Sequence, residues 1–231
     1  MPDNISSRNY RVTGGEKQLA AKLKRILANL LPELEEKIKL REDTITASRR
    51  VTVLSKQAVI AVHLKNLKDA SSKLEEARRI LQDLEGRLTM HPDLRRGSTK
   101  VAYQEYAESR VIEAIASGLD FPSPNDLKIP TISYILGLAD AVGEFRRSAV
   151  EALTHGEIKE AEASLNRMKE IYNELLPLEF FYSLAPELRR KVDVARHLIE
   201  ATMGDICTET RRSSLESAMR SLEKKLDDKR L

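Results

Sequence analysis

A chain of 231 residues that is 41% hydrophobic can bury a core of its own, as one large domain or two small ones. Its single cysteine, Cys207, excludes an intrachain disulfide, and the absence of an apolar leader or of an apolar run of about 18 residues excludes a spanning helix and points to a soluble, cytoplasmic protein with no membrane partner. The net charge of +3 excludes an overall basic field, so any contact with nucleic acid must come from local basic runs.

Gly (9) and Pro (8) are few, and the abundant Ala, Leu, Glu, Lys and Arg favour helix at nearly every position. Met1 to Gly15 is polar and unpatterned and reads as a loose arm. Glu16 to Leu31 carries Leu19, Leu23, Ile26, Leu27 and Leu30 at helical spacing, which predicts the first helix. Pro32 either kinks that helix or opens the next one, which runs from Glu33 to about Leu67. The β-branched stretches Val51-Thr52-Val53 and Val59-Ile60-Ala61-Val62 remain helical in this reading, because no turn residue interrupts them. Asp69 or Ser71 is placed to cap a helix through Leu74, Ala77, Leu81 and Leu84 that stops between Gly86 and Pro92.

After a loop at Gly97 and Ser98, a helix is predicted from Thr99 to Ser117, ended by Gly118. Phe121-Pro122-Ser123-Pro124-Asn125 is a break. Thr131 or Ser133 starts a long helix to Thr154, closed by His155-Gly156. Glu157 to Phe181 follows, with a bend expected at Pro177. Pro186 opens the last helix, and Leu215, Met219, Leu222 and Leu226 give its tail an apolar stripe that needs a partner. No strand pair, internal repeat or linker is visible. The fold class is all-α, a single-domain bundle of about six or seven helices.

Two acidic pairs carry the chemistry. Glu105 and Glu108 lie on one predicted helix, Asp140 and Glu144 on another, and carboxylates three or four residues apart leave the same helix face. If the two helices pack, four carboxylates converge, and such a set suits Mg²⁺ or Mn²⁺. From spacing alone a solvated acidic face stays open as the other reading. No Gly-rich phosphate loop, His-Glu-x-x-His or Glu-x-x-His occurs, and the four histidines are scattered. Arg49, Arg50, Lys56, His63, Arg146, Arg147, Arg189, Arg190 and Lys191 are candidates for phosphate contacts, and Arg95-Arg96 and Arg211-Arg212 form further basic runs. Each cation has a competing role as the partner of a helix carboxylate, Arg147 with Glu144 among them. Tyr103 and Tyr106 are candidates to stack on bases, or packing residues. Ala139 and Gly143 read as ordinary helix packing.

Several segments resemble the translin and translin-associated factor X family. Gln104-Glu105-Tyr106-Ala107-Glu108 resembles the Q-E-Y-x-E element of the factor X branch. The run from Tyr134 to Arg147, with Gly137, Asp140, Gly143 and Glu144, is similar to that branch's Y-L-L-G-x-A-D-x-x-G-E-L-x-R. Ser48 to Lys56 looks like S-R-D-I-T-x-x-S-K, with Arg50 where the pattern has Asp. Leu188-Arg189-Arg190-Lys191-Val192-Asp193 resembles the L-R-K-R-x-D of translin itself. The matches cover Leu30 to Cys207, and the compact form without long insertions looks like an archaeal member.

The expected organisation is a flexible arm over 1–15, a translin-like all-α domain over 16–210 and, outside the resemblance, a C-terminal helical extension over 211–231. The resemblance implies a homo-oligomer, an octamer, that binds single-stranded RNA and as an alternative DNA, with Mg²⁺-dependent endoribonuclease activity. Carried over by position, Glu105, Glu108 and Asp140 are the catalytic, metal-holding carboxylates, with Glu144 as a fourth. A single chain here carries both the acidic set and the translin-like basic run, which suits a homo-oligomer. Two other readings remain open: a non-catalytic RNA- or DNA-binding oligomer, and a helical scaffold protein.

Overall fold

The computed structural model describes residues 14–92 and 97–228. Arg95 and Arg96 lie outside the described residues, as does the expected arm up to position 13. Seven α-helices and no strand occur among the described residues. In chain order they are α1 (Gly14–His63), α2 (Leu67–Met90), α3 (Ser98–Ala116), α4 (Pro124–Leu127), α5 (Thr131–Thr154), α6 (Ile158–Leu175) and α7 (Pro186–Asp227). No helix among the described residues is long and apolar enough to cross a membrane.

Helix ends follow local chemistry. Gly118 and Gly156 adopt positive φ (72° and 75°) just past α3 and α5. In each case the glycine N–H and the next N–H return to carbonyls of the last turn: Gly118 to Ile115 (3.1 Å) with Leu119 to Ala114 (2.9 Å), and Gly156 to Leu153 (3.0 Å) with Glu157 to Ala152 (2.9 Å). This is the left-handed helix stop that glycine favours. Lys65 makes the same closure at the end of α1, with φ 59° but with a side chain. Asn66, rather than Asp69 or Ser71, caps α2, its side chain accepting from the Asp69 N–H at 3.2 Å. The expected break at Phe121 to Asn125 contains the one-turn α4, capped by a reciprocal Ser123–Asp126 box. The expected bend at Pro177 is a change of helix type: α6 ends at Leu175 and a 3₁₀ segment, Leu176–Ser183, follows.

The chain divides into two units between Thr44 and Ile45. In the first, α1 runs unbroken through Pro32, so the proline neither ends nor restarts the helix. The stripe Leu19, Leu23, Ile26, Leu27, Leu30, Leu34 and Ile38 on this segment is exposed.

The second unit holds the core. One cluster joins Leu136, Val142 and Phe145 of α5 to Met168, Ile171 and Leu175 of α6 and Leu188, Val192 and Ala195 of α7. The other joins Val51, Leu54 and Ala58 of α1 to Leu74, Leu81 and Leu84 of α2 and Ala102, Tyr103 and Tyr106 of α3. Val111 and Ile112 of α3 belong to the first cluster, so α3 lies between the two. Tyr103 and Tyr106 are 2% and 0% exposed, and Tyr103 donates to Glu85 at 2.7 Å. Neither ring is available to stack on a base, so both are packing residues.

Candidate acidic site and nucleic-acid interface

The contact of α3 with α5 is set by one glycine. A Cβ on Gly137 would stand 2.7 Å from the Ala107 Cβ and 3.0 Å from the Glu108 nitrogen, and closer still to the Gln104 carbonyl oxygen. Only glycine lets the two backbones approach so closely. The approach falls between the acidic pairs, so the packing forced by Gly137 brings Glu105 and Glu108 of α3 beside Asp140 and Glu144 of α5. All four line one pocket of about 530 Å³, together with Lys56, Val59 and Ile60 of α1 and Arg147.

The four carboxylates differ in how they are compensated. Glu105 pairs with Lys56 at 3.4 Å. Asp140 accepts from Lys191 of α7 and from the Gln104 amide. Glu144 is 2.7 Å from His63 Nε2 and 3.8 Å from Arg147. Glu108 has no cation within ion-pair distance among the described residues. Its pKa is pushed up to about 8, first by burial and then by the charges of Asp140, Glu105 and Glu144, against a smaller pull from Lys191. Glu144 moves the other way. The His63 hydrogen bond holds its carboxyl below the usual range, helped by the His63 and Arg147 charges and opposed by burial. Two neighbouring carboxylates with opposite shifts are a common setting for acid–base work.

Among the described residues, no group of three or more His, Cys, Asp or Glu side chains is gathered closely enough to hold a metal ion. The pocket is thus not a closed cage. Its chemistry does fit Mg²⁺, which binds oxygen through one or two carboxylates and keeps waters. Glu108 supplies the half-buried, uncompensated carboxylate that such a cation would neutralise, with Asp140 and Glu105 beside it.

The basic candidates separate into four groups. Lys56, His63 and Lys191 are drawn into the acidic site, and the His63 side chain is only 8% exposed. Arg50 is held by Glu76 (2.7 Å) and Arg146 by Asp205 (2.5 Å). Arg49, Arg189 and Arg190 are exposed and make no ion pair among the described residues. Arg147 is half-exposed and reaches the rim of the pocket. Gln104 was legible as part of a motif but not as a partner of Asp140. Its position four residues before Glu108, on the same helix face, is the signal that marks it. Gly143 has nothing within 4 Å of a would-be Cβ, so it does not serve helix packing, unlike Ala139, which is 5% exposed.

Fold and site together define an all-α protein with an acidic pocket built where two helices touch at a glycine. Residues 99–201 match the translin family. An uncharacterized protein of Methanocaldococcus jannaschii is 32% identical over 181 residues, which cover 78% of this chain and 80% of that one. The crystal structure of AfC3PO superposes with a TM-score of 0.74 at 30% identity, covering 80% of this chain and 97% of the other. Apo-NeC3PO gives 0.72 at 25% identity, over 79% and 96%. AfC3PO in complex with duplex RNA gives 0.69 at 28%, over 80% and 97%. The chain belongs to the translin family. The family match contains Glu105, Glu108, Asp140, Glu144 and Lys191, but stops short of Lys56 and His63, which come from α1.

Proposed function

We propose that the protein is an RNA-binding member of the translin family that acts as a Mg²⁺-dependent endoribonuclease on single-stranded RNA, in the cytoplasm, within a homo-octameric shell. The observation that carries the reading is Glu108: a half-buried carboxylate without an ion-pair partner among the described residues, with three more carboxylates around it inside the family-matched segment. Glu105, Glu108 and Asp140 would hold Mg²⁺, with Mn²⁺ as a substitute. When bound, the cation would supply Lewis-acid polarisation of the scissile phosphate and acidify a water.

The chain's own residues have distinct tasks in this reading. Lys56 pairs with Glu105 and Lys191 with Asp140. With those carboxylates on a cation, both ammonium groups would be free to contact the substrate phosphate. His63 fixes the orientation of Glu144 and holds it deprotonated, so Glu144 serves as a ligand or as a general base. Arg49, Arg147, Arg189 and Arg190 bind flanking phosphates. The relative AfC3PO has been solved with duplex RNA, which makes a duplex a necessary second substrate in any assay.

A second reading is a non-catalytic oligomer that binds RNA or single-stranded DNA. It is favoured by the lack of a three-ligand metal group among the described residues and by the side chains that already pair with three of the carboxylates. The discriminating experiment is cleavage of labelled single-stranded and duplex RNA, with Mg²⁺ and with EDTA, by wild type and by Glu105→Ala/Glu108→Ala. Metal-dependent cutting that vanishes in the double variant, with binding intact, is the expected result. Binding without cutting in the wild type would leave the second reading.

A further inference from the structure

A second cleft, of about 570 Å³, opens on the other side of Asp140, between α3, α5 and the first turns of α7. Among the described residues, Asp140 alone lines both it and the acidic pocket. The floor is made of small residues, Ala139, Gly143 and Ala195, and a wall is made by Val194 and Leu198. Gly143 gives the clearest signal. Its missing side chain leaves open space that no part of the described protein fills, whereas Gly137, two turns earlier on α5, is required by packing. Small apolar side chains beside an unfilled glycine leave room for a planar ring.

The rim is basic. Lys100 is paired with Glu187 at 2.7 Å and Lys191 with Asp140, while Arg190 makes no ion pair among the described residues and is available to a phosphate. The Gln104 side chain donates its amide N–H to Asp140. Its carbonyl oxygen makes no hydrogen bond among the described residues. The volume lies within the range of ordinary small-ligand sites, roughly 300–1,000 Å³.

We propose that this cleft is a base-binding subsite. It takes one nucleotide of the RNA strand next to the scissile phosphate, the base on the Ala139–Gly143–Ala195 floor and the phosphate at Arg190. The proposal rests on the nuclease reading for the direction of the strand, since Asp140 joins the two clefts. Gly143 is then the residue that sets the thickness of what can enter, and it touches substrate rather than the reacting atoms.

The test is binding of 5′-AMP, 5′-UMP and ribose 5-phosphate, followed by ligand-observed NMR, to wild type, Gly143→Ala, Gly143→Leu and Arg190→Ala. Both nucleotides should bind wild type about tenfold more tightly than ribose 5-phosphate, the usual worth of one base contact. Gly143→Leu should erase that advantage and leave ribose 5-phosphate unchanged, with Gly143→Ala between. Arg190→Ala should weaken all three ligands. Thermal melting checks the fold of each variant, and Gly143→Ala adds only a methyl group where the described structure has space. Equal affinity for nucleotide and ribose 5-phosphate, or nucleotide binding untouched by Gly143→Leu, would overturn the subsite. The nuclease reading fails separately, by absence of Mg²⁺-dependent cutting in a wild type that still discriminates the base.

Discussion

Glu108 ties the pH response of the whole site to one carboxyl. Its ordinary value of 4.5 rises to about 8 in the folded chain. A raised folded pKa means that the folded state holds the proton more firmly, so the group's contribution is fully present below about 4.5 and is lost as pH rises through about 8. The metal-free protein should therefore lose stability across that window, on the order of a few kcal/mol. Mg²⁺ competes with the same proton, so its apparent affinity should climb with pH and level off above about 8. Melting temperatures with and without Mg²⁺ at several pH values read both effects. Glu108→Gln should flatten the first and remove most of the second. A pH slope that persists in Glu108→Gln would place the titrating group elsewhere. Glu144 acts in the opposite window: with its pKa depressed by His63, its contribution is present above the ordinary carboxylate range and is lost on acidification.

A second residue-scale expectation concerns Lys65, a non-glycine in the left-handed region at φ 59°. Lys65→Gly keeps the closing hydrogen bonds of Lys65 to Val62 and Asn66 to Ala61 and removes the Cβ penalty. It should stabilise the protein by about 1 kcal/mol, measured by urea unfolding.

At the scale of elements, the helices were legible because little in the chain competes with helix. The Thr131 and Pro186 starts and the Gly118 and Gly156 stops all sit where turn chemistry places them. The acidic pairs were legible as pairs because i,i+3 and i,i+4 spacing is local. Their neutralisation was not. Lys56, His63 and Lys191 come from helices far along the chain, and no local period reports which cation reaches which carboxylate. The two tyrosines show the same limit, since a Tyr beside a Glu in sequence reads equally as a stacking platform or as core. The glycines were indistinguishable in the motif, yet one is held by α3 and the other faces space. That difference gives a prediction for the α3–α5 contact. Gly137→Ala should cost roughly 1–3 kcal/mol, because the added methyl meets backbone rather than a flexible side chain. It should also weaken the Mg²⁺-dependent rise in melting temperature, since separating the helices separates the acidic pairs. Full retention of the Mg²⁺ response in a destabilised Gly137→Ala would show that the carboxylates act without that close approach.

The whole molecule raises the question of what covers its apolar surface. Leu19, Leu23, Ile26, Leu27, Leu30, Leu34 and Ile38 on the first unit are 45–70% exposed. The tail of α7 adds Leu215, Met219, Leu222 and Leu226 at 53–62%. Isolated exposed leucines are ordinary, but a continuous helical stripe of them is the mark of an interface. The charges along α1 suit a second copy of the same helix. Lys22, Lys24 and Arg25 lie toward the N-terminal end, and the stretch 33–43 is net acidic, with Glu33, Glu35, Glu36, Glu42 and Asp43 against Lys37, Lys39 and Arg41. An antiparallel pair of α1 segments would set the basic end of one against the acidic end of the next, and the spacing of 19, 23, 26 and 30 is the three-four alternation of a helix–helix seam. The proposed octamer should thus depend on this stripe. Light scattering after size exclusion should give about eight times 26.1 kDa for the wild type. Leu23→Lys/Leu30→Lys should lower the mass to a smaller species while circular dichroism keeps its helical signal, because neither side chain belongs to the described core. A wild type that elutes as a 26.1 kDa monomer would remove the shell from the functional reading. A variant of unchanged mass would move the assembly contact away from α1, with the tail of α7 next in line.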